Sequence, residues 1–221
     1  MPAWRLGALT LSGALAATLV GAIVLASAGL GPAAVLVFFF VSASLLSALP
    51  GKRERSRRDA RQVIANGSIA ALAAAVTVSQ PVASLAFLGA LAAATADTWA
   101  TEIGLRLGRR PRSILTLRSR PPGSSGAISI PGTVASAAGA LAIGLVGGWW
   151  MGGIDRATLS AIAAAGFLGS VTDSLLGDGL QAVYRCPECG AAPEVARHSG
   201  CEVRARRVSG IPGLDNDLVN W

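Results

Sequence analysis

Apolar residues in this chain come in long runs, and polar residues gather in the gaps between them. Judged by apolar length and by what interrupts it, the pattern predicts six membrane spans: Ala8 to Leu30, Ala33 to Leu49, Ile64 to Ser79, Val82 to about Thr98, Ile128 to Trp150 and Thr158 to about Leu176. The first two approach the roughly 20 residues a helix needs to cross a bilayer. Spans three and four are short and meet at Ser79, Gln80 and Pro81. Proline forbids a continuous helix there, so the pair is expected to form a tight helical hairpin. The predicted fold class is all-α: a polytopic membrane helix bundle of about six transmembrane helices with cytoplasmic loops over residues 1–184. A small cytoplasmic tail over residues 185–221 carries every cysteine and the one histidine.

Composition supports this reading. The 221 residues are 52% hydrophobic and 14% charged, with a mean hydropathy of +0.55, whereas soluble domains carry about 25% charged residues. Arg5, the first apolar run and the small residues Ala26 to Ala28 resemble a secretory signal peptide. That run is longer than the roughly 7–15 residues of a signal core, and further spans come after it.

The net charge of +7 changes the picture through its placement. Basic residues lie between the apolar runs: Lys52 to Arg61 after span two, Arg106 to Arg120 after span four, and Arg185 to Arg207 after span six, with only Arg156 on the other side. This is a positive-inside pattern and not the footprint of a nucleic acid polymer. It places both termini in the cytoplasm and the chain in the cell inner membrane, with Trp149 and Trp150 as aromatic anchors at the outer interface. Alanine, glycine and serine dominate the spans and allow close backbone packing. Membrane lipids are the expected surroundings, and association into a homo-oligomer is left open.

Four acids interrupt the apolar pattern near the cytoplasmic ends of spans four and six: Asp97, Glu102, Asp173 and Asp178. Acids in spans usually mark ion or substrate sites, although a solvated helix end accounts for them more simply. A faint repeat links them. Phe87 begins "FLGALAAATADTWATE" and Phe167 begins "FLGSVTDSLLGD", each ending in Asp, a hydroxyl residue, three more residues and a second acid. In so Ala- and Gly-rich a chain, chance and common ancestry both explain this. Residues five apart on a helix point about 140° apart, so Asp97 and Glu102 do not share a face. Carboxylates from two helices would suit Mg²⁺, which is held by one or two carboxylates with phosphate oxygens and water.

Three other segments carry candidate chemistry. In "RPPGSSGAISIPGT", Ser124, Ser125 and Gly126 lie in a Gly/Ser loop leading to span five. Such a loop can cradle phosphate through backbone N–H groups, and a merely flexible loop fits equally. Arg61 and Asn66, at the start of span three, could contact phosphate or orient a nucleoside, and a topology signal with anionic-lipid contact fits them equally. The tail carries Cys186, Cys189, His198 and Cys201, of which Cys186 and Cys189 form a knuckle in "CPECG". Structural Zn²⁺, reduced thiols and a redox pair all fit, zinc foremost, and a cytoplasmic tail disfavours a stable disulfide. Finally, "GIPGLDNDLVNW" mixes Asp215, Asn216, Asp217 and Asn220 with Leu218, Val219 and Trp221, and is expected to dock on the bundle.

Five of these pieces, "RQVIANG", "ADTWATEIG", "PPGSSGAISIPGT", "DSLLGDGLQ" and "LDNDLVN", occur in family order across most of the chain. Together they resemble the integral membrane proteins grouped as domain of unknown function family 92, which includes a plant phytyl-phosphate kinase and an animal transmembrane protein. The resemblance implies a CTP-dependent prenyl-phosphate kinase, which would phosphorylate an isoprenoid monophosphate from a nucleoside triphosphate. It implies metal or base roles for Asp97, Glu102, Asp173, Asp178, Asp215 and Asp217, with Mg²⁺ held through Asp97, Asp173, Asp178 and Asp217. Phosphate or substrate contacts would come from Arg61, Asn66, Ser124, Ser125, Gly126 and Asn216. A small ion- or proton-coupled transporter, a cytidylyltransferase acting on a lipid phosphate and a structural scaffold are the alternatives. A transporter should place its ionisable groups near the midplane, a kinase at one face.

Overall fold

The structure is a computed structural model that describes residues 8–49, 57–76, 82–190, 201 and 203–220. Six helices form the bundle: α1 (Leu11–Ala28), α2 (Leu30–Ala48), α3 (Ala60–Val76), α4 (Ala83–Leu107), α5 (Ile130–Trp150) and α6 (Arg156–Gly179). Five of them are long and apolar enough to cross a membrane. The 17-residue α3 is shorter; at 1.5 Å per residue it spans about 26 Å. The expected break at Ser79 to Pro81 lies outside the described residues.

Contacts at the helix ends fix the direction of every pass. The start of α1 meets the segment before α3, where the Thr10 N–H donates to the Arg58 carbonyl (3.0 Å) and the Arg58 N–H to that of Ala8 (3.1 Å). The end of α2 meets the last turns of α4 through Ser47 and Glu102. At the opposite end, the Trp150 indole lies over Gly31, where any Cβ would collide with it. The helices therefore alternate in direction. The Arg57–Arg61 segment, the 108–129 loop and the described residues after α6 all share one face.

Glycine and alanine bring the central helices together. On α5, Gly132 and Gly139 lie against α4 at Ala100, Gly104, Thr95 and Trp99; on α6, Gly166 and Gly169 lie against Ala92 and Ala93 of α4. A Cβ on Gly166 would come within 2.6 Å of the Ala92 Cβ and 2.9 Å of that of Ala140. The core adds Val24, Val35, Phe39, Phe87, Leu91 and Ile143. Large apolar side chains such as Leu15, Leu19, Leu45, Val134 and Leu145 face outward, as a lipid-exposed surface requires.

Two small antiparallel ladders complete the basic face. In the 108–129 loop, β1 (Arg112–Ser113) pairs with β2 (Ala127–Ile128); after α6, β3 (Val183–Arg185) pairs with β4 (Arg206–Ser209). The terminal turn α7 (Asn216–Val219) packs on α3 and α6.

Helix α4 continues well past its expected end near Thr98. Gly104 intervenes but stays helical, and the helix ends at Gly108, whose N–H donates to the Gly104 carbonyl (2.9 Å). Asp97 and Glu102 thus lie inside a helix and not at its end.

Candidate functional site at the basic face

The α4–α6 seam sets the position of the central pair. Both helices run toward the basic face, and Gly169 of α6 sits against Ala93 of α4. One turn further on, each helix presents an aspartate, and the side chains of Asp97 and Asp173 meet within hydrogen-bonding reach. Both residues are half-buried, yet Asp173 Oδ1 is shielded from solvent and receives no hydrogen-bond donor. Two carboxylates in contact repel unless a proton or a cation lies between them.

The depth of this pair is set by the packing. Ala140, midway along α5, meets Gly166 beside Ala92. Asp97 and Asp173 lie five and seven residues beyond that level, or about 8–10 Å toward the basic face at 1.5 Å per residue.

Glu102 faces a different helix, as the 140° offset requires. Ser47 Oγ donates to Glu102 Oε1 (2.6 Å), and Arg106 Nη1 donates to its Oε2 (2.6 Å). Arg106 Nη2 also reaches the Leu49 carbonyl (2.9 Å), and Arg58 Nη2 contacts Ser47 Oγ and the Ala43 carbonyl (both 3.3 Å). Burial lowers the Arg58 pKa from its usual value, while Glu102 opposes that shift. The result is a clasp joining α2, α4 and the start of α3.

Asp178 is likewise committed. Its Oδ2 accepts from the buried Ser113 hydroxyl and from the Leu115 N–H (3.1 Å), and its Oδ1 accepts from Arg120 (2.9 Å). Gly126 lies directly against Asp178, with a left-handed φ of +66° and no room for a Cβ. The Gly/Ser loop is therefore braced on the end of α6. Ser124 turns its hydroxyl to the Pro121 carbonyl (2.8 Å), and the α5 N-terminus is capped by Ser129, which accepts from the Gly132 N–H. Ser125 is half-buried in the same loop.

At the third position, Arg61 pairs with Asp215 (2.8 Å) and Asp217 (3.6 Å), so the expected docking of the terminal segment takes place on α3. Asp215 caps α7 by accepting from the Leu218 N–H, and Asn216 is the first residue of that turn. Arg61, Ile64, Ala65, Asp217 and Leu218 line a shallow open cleft. Asn66 donates to the Gln62 carbonyl one turn earlier on α3 (2.9 Å).

The sequence-predicted acids thus share a face of the molecule but not a single cluster. Asp97 and Asp173 come together; Glu102, Asp178 and Asp217 are engaged by arginines. Sequence reasoning missed Ser47, Arg58, Arg106, Ser113 and Arg120 as their partners. The four-residue spacing of Glu102 and Arg106 was the available signal for one of them.

Among the described residues, the one group of three metal-ligating side chains that converge is Cys186, Cys189 and Cys201, whose sulfurs lie within 4.8 Å of one another. No disulfide joins them. Hydrogen bonding with Cys189, burial and the proximity of Cys186 push the Cys201 thiol up to about 12. His198 lies outside the described residues.

Alternating apolar helices with an acidic pair in one seam and arginine-held loops on one face define a polytopic helical membrane protein. The chain belongs to the integral membrane protein family DUF92, whose profile matches residues 1–221. It is 31% identical over 172 residues to an uncharacterized membrane protein of Methanocaldococcus jannaschii, covering 75% of this chain and 71% of that one. It is 27% identical over 249 residues to Protein PGR of Arabidopsis thaliana, covering 96% and 84%. An uncharacterized membrane protein of Synechocystis is 31% identical over 98 residues, 44% of this chain and 38% of that one. No solved structure matches the chain.

Proposed function

We propose that the protein is a membrane-integral prenyl-phosphate kinase, which transfers the terminal phosphoryl group of a nucleoside triphosphate, CTP by family resemblance, to an isoprenoid monophosphate. The observation that carries this reading is the Asp97–Asp173 pair, offset toward the basic face and containing a buried oxygen without a donor. Phosphoryl transfer depends mainly on positioning and charge stabilisation around the phosphates.

Mg²⁺ fits this pair, because it favours one or two carboxylates and completes its shell with phosphate oxygens and water. Asp97 and Asp173 would hold it; when bound it would neutralise charge on the phosphates. Asp178 and Asp217 are better placed to position the substrate-facing loops, since arginines engage both. Arg120 and Arg61 keep these segments over the basic face, where Arg109, Arg110 and Arg118 add positive charge toward anionic substrates. The prenyl tail would lie in the surrounding lipid. The positive-inside pattern supports a cytoplasmic side for both termini.

Asp97→Asn and Asp173→Asn should each abolish formation of labelled prenyl diphosphate from Mg²⁺, labelled CTP or ATP and a series of prenyl monophosphates, with unchanged helicity and elution in detergent. Full activity in both variants, or no product from the wild type with any donor and chain length, defeats the proposal. The offset of the acids from the bundle middle supports a one-faced enzyme over a transporter. Proton or cation flux in proteoliposomes would reverse that preference.

A further inference from the structure

We propose that Cys186, Cys189 and Cys201 hold a structural zinc ion that closes the β3–β4 hairpin and thereby keeps the C-terminal segment on the bundle. A zinc ion bound by thiolates at about 2.3 Å in a tetrahedron brings pairs of sulfurs about 3.8 Å apart. The three sulfurs here already lie within 4.8 Å of one another. They come from two separate stretches of chain, one directly after β3 and one shortly before β4. The Gly190 N–H donates to the Cys186 carbonyl (3.0 Å), and Gly190 takes a φ of +70°, which folds the knuckle back on itself. Three thiols around one point also exceed what a single disulfide uses.

The need for such a clamp is visible in the burial. Of the described residues from Cys186 to Ser209, only Cys186 and Ala205 are buried. The described part of this excursion buries little apolar side chain of its own, and small folds with little core commonly rely on a metal or a disulfide. Beyond β4 the chain returns to the segment that follows α6. Gly210 abuts the Gln181 backbone too closely for any Cβ. The Ile211 N–H donates to the Leu180 carbonyl, and the Ala182 N–H to that of Leu214 (both 2.8 Å). These bonds lead directly to Asp215 and its pairing with Arg61. The zinc site would therefore act on the tail's order and not on chemistry. A tetrahedral site takes a fourth donor beyond these three sulfurs.

The test uses the full-length protein purified in detergent without chelator. Elemental analysis should find near-stoichiometric zinc. After chelation, added Co²⁺ should give thiolate-to-cobalt charge-transfer bands and the strong d–d bands of a tetrahedral ion. Chelation should expose the tail to limited proteolysis, and Zn²⁺ should restore protection, a comparison within the wild-type protein that no folding defect can mimic. Cys186→Ser with Cys189→Ser should abolish the metal signals while leaving bundle helicity intact. Wild-type protein without zinc and without thiolate–cobalt bands overturns the site. A tail equally protected with and without metal overturns the clamp. Neither readout depends on prenyl-phosphate chemistry.

Discussion

At the scale of single residues, neighbours and not residue type decide what each acid does. Glu102 receives Ser47 and Arg106, with Arg58 close by, so its removal strands positive charge between α2 and α4. Breaking a fully buried ion pair costs roughly 3–5 kcal/mol, and the slight exposure of both partners places this one at or below the lower limit. Glu102→Ala should therefore lower the unfolding temperature in detergent while the folded fraction keeps most of its turnover. A complete loss of turnover in well-folded protein would instead make Glu102 part of the reacting site. Asp155 provides a pH test. Thr158 donates both its N–H (2.8 Å) and its hydroxyl (2.9 Å) to the Asp155 carboxylate, which lowers its pKa. A depressed carboxylate pKa contributes stability above the unfolded value of about 3.9, and that contribution is lost as the pH falls through the folded value. Asp155→Asn, which still caps α6, should remove this acid-side loss; identical acid melting curves for the two proteins would refute the assignment. The identity of the acids was legible in the sequence, and so was the opposed facing of Asp97 and Glu102. Helical spacing gives relative directions, however, and says nothing of which helix each direction meets. Arg120 lies 58 residues from Asp178 along the chain, and Arg61 lies 154 residues from Asp215, separations at which no local pattern links the partners.

At the scale of the element, the α4–α6 seam is where packing and chemistry are joined. Gly166 and Gly169 let α6 approach Ala92 and Ala93, and the next turn delivers Asp173 to Asp97. Gly166→Ala would force a methyl group against two alanine Cβ atoms and the Ala92 backbone, a misfit of the kind that typically costs about 1–3 kcal/mol. The helices should separate, lowering both the melting temperature and product formation, whereas Gly89→Ala, with open space at its Cβ, should leave both near wild type. Equal behaviour of the two variants would show that seam spacing does not govern the pair. The sequence made the helices themselves readable, because apolar length is a strong signal. It ended the fourth apolar span near Thr98, whereas helical hydrogen bonding continues to Gly108. The likeness between the Phe87 and Phe167 segments gains a spatial meaning: their aspartates sit side by side, while their second acids turn away to α2 and to the 108–129 loop.

At the scale of the whole molecule, alternating helix directions and the distribution of charge test each other. The packing puts the Arg57–Arg61 segment, the 108–129 loop and the residues after α6 on one face, independently of any charge argument, because it rests on contacts such as Thr10 with Arg58, Ser47 with Glu102 and Trp150 with Gly31. The basic residues among the described ones then fall on that same face, with Arg156 on the other. Loops rich in lysine and arginine tend to be retained on the cytoplasmic side, which is the basis of the orientation proposed for this face. Epitope tags placed after Arg118 and at the C-terminus should be cleaved by protease only in inverted membrane vesicles, where the cytoplasmic face is outward. A tag between Gly152 and Gly153, in the turn joining α5 to α6, should be cleaved only from the other side. Cleavage of the loop and C-terminal tags from opposite sides would break the six-pass arrangement, and with it the placement of Asp97, Asp173 and the tail toward one compartment. Reversal of all three would keep the bundle but move the reaction to the outer face, where a cytosolic nucleoside triphosphate could not supply the phosphoryl group. The topology experiment therefore bears on the reaction as directly as on the fold.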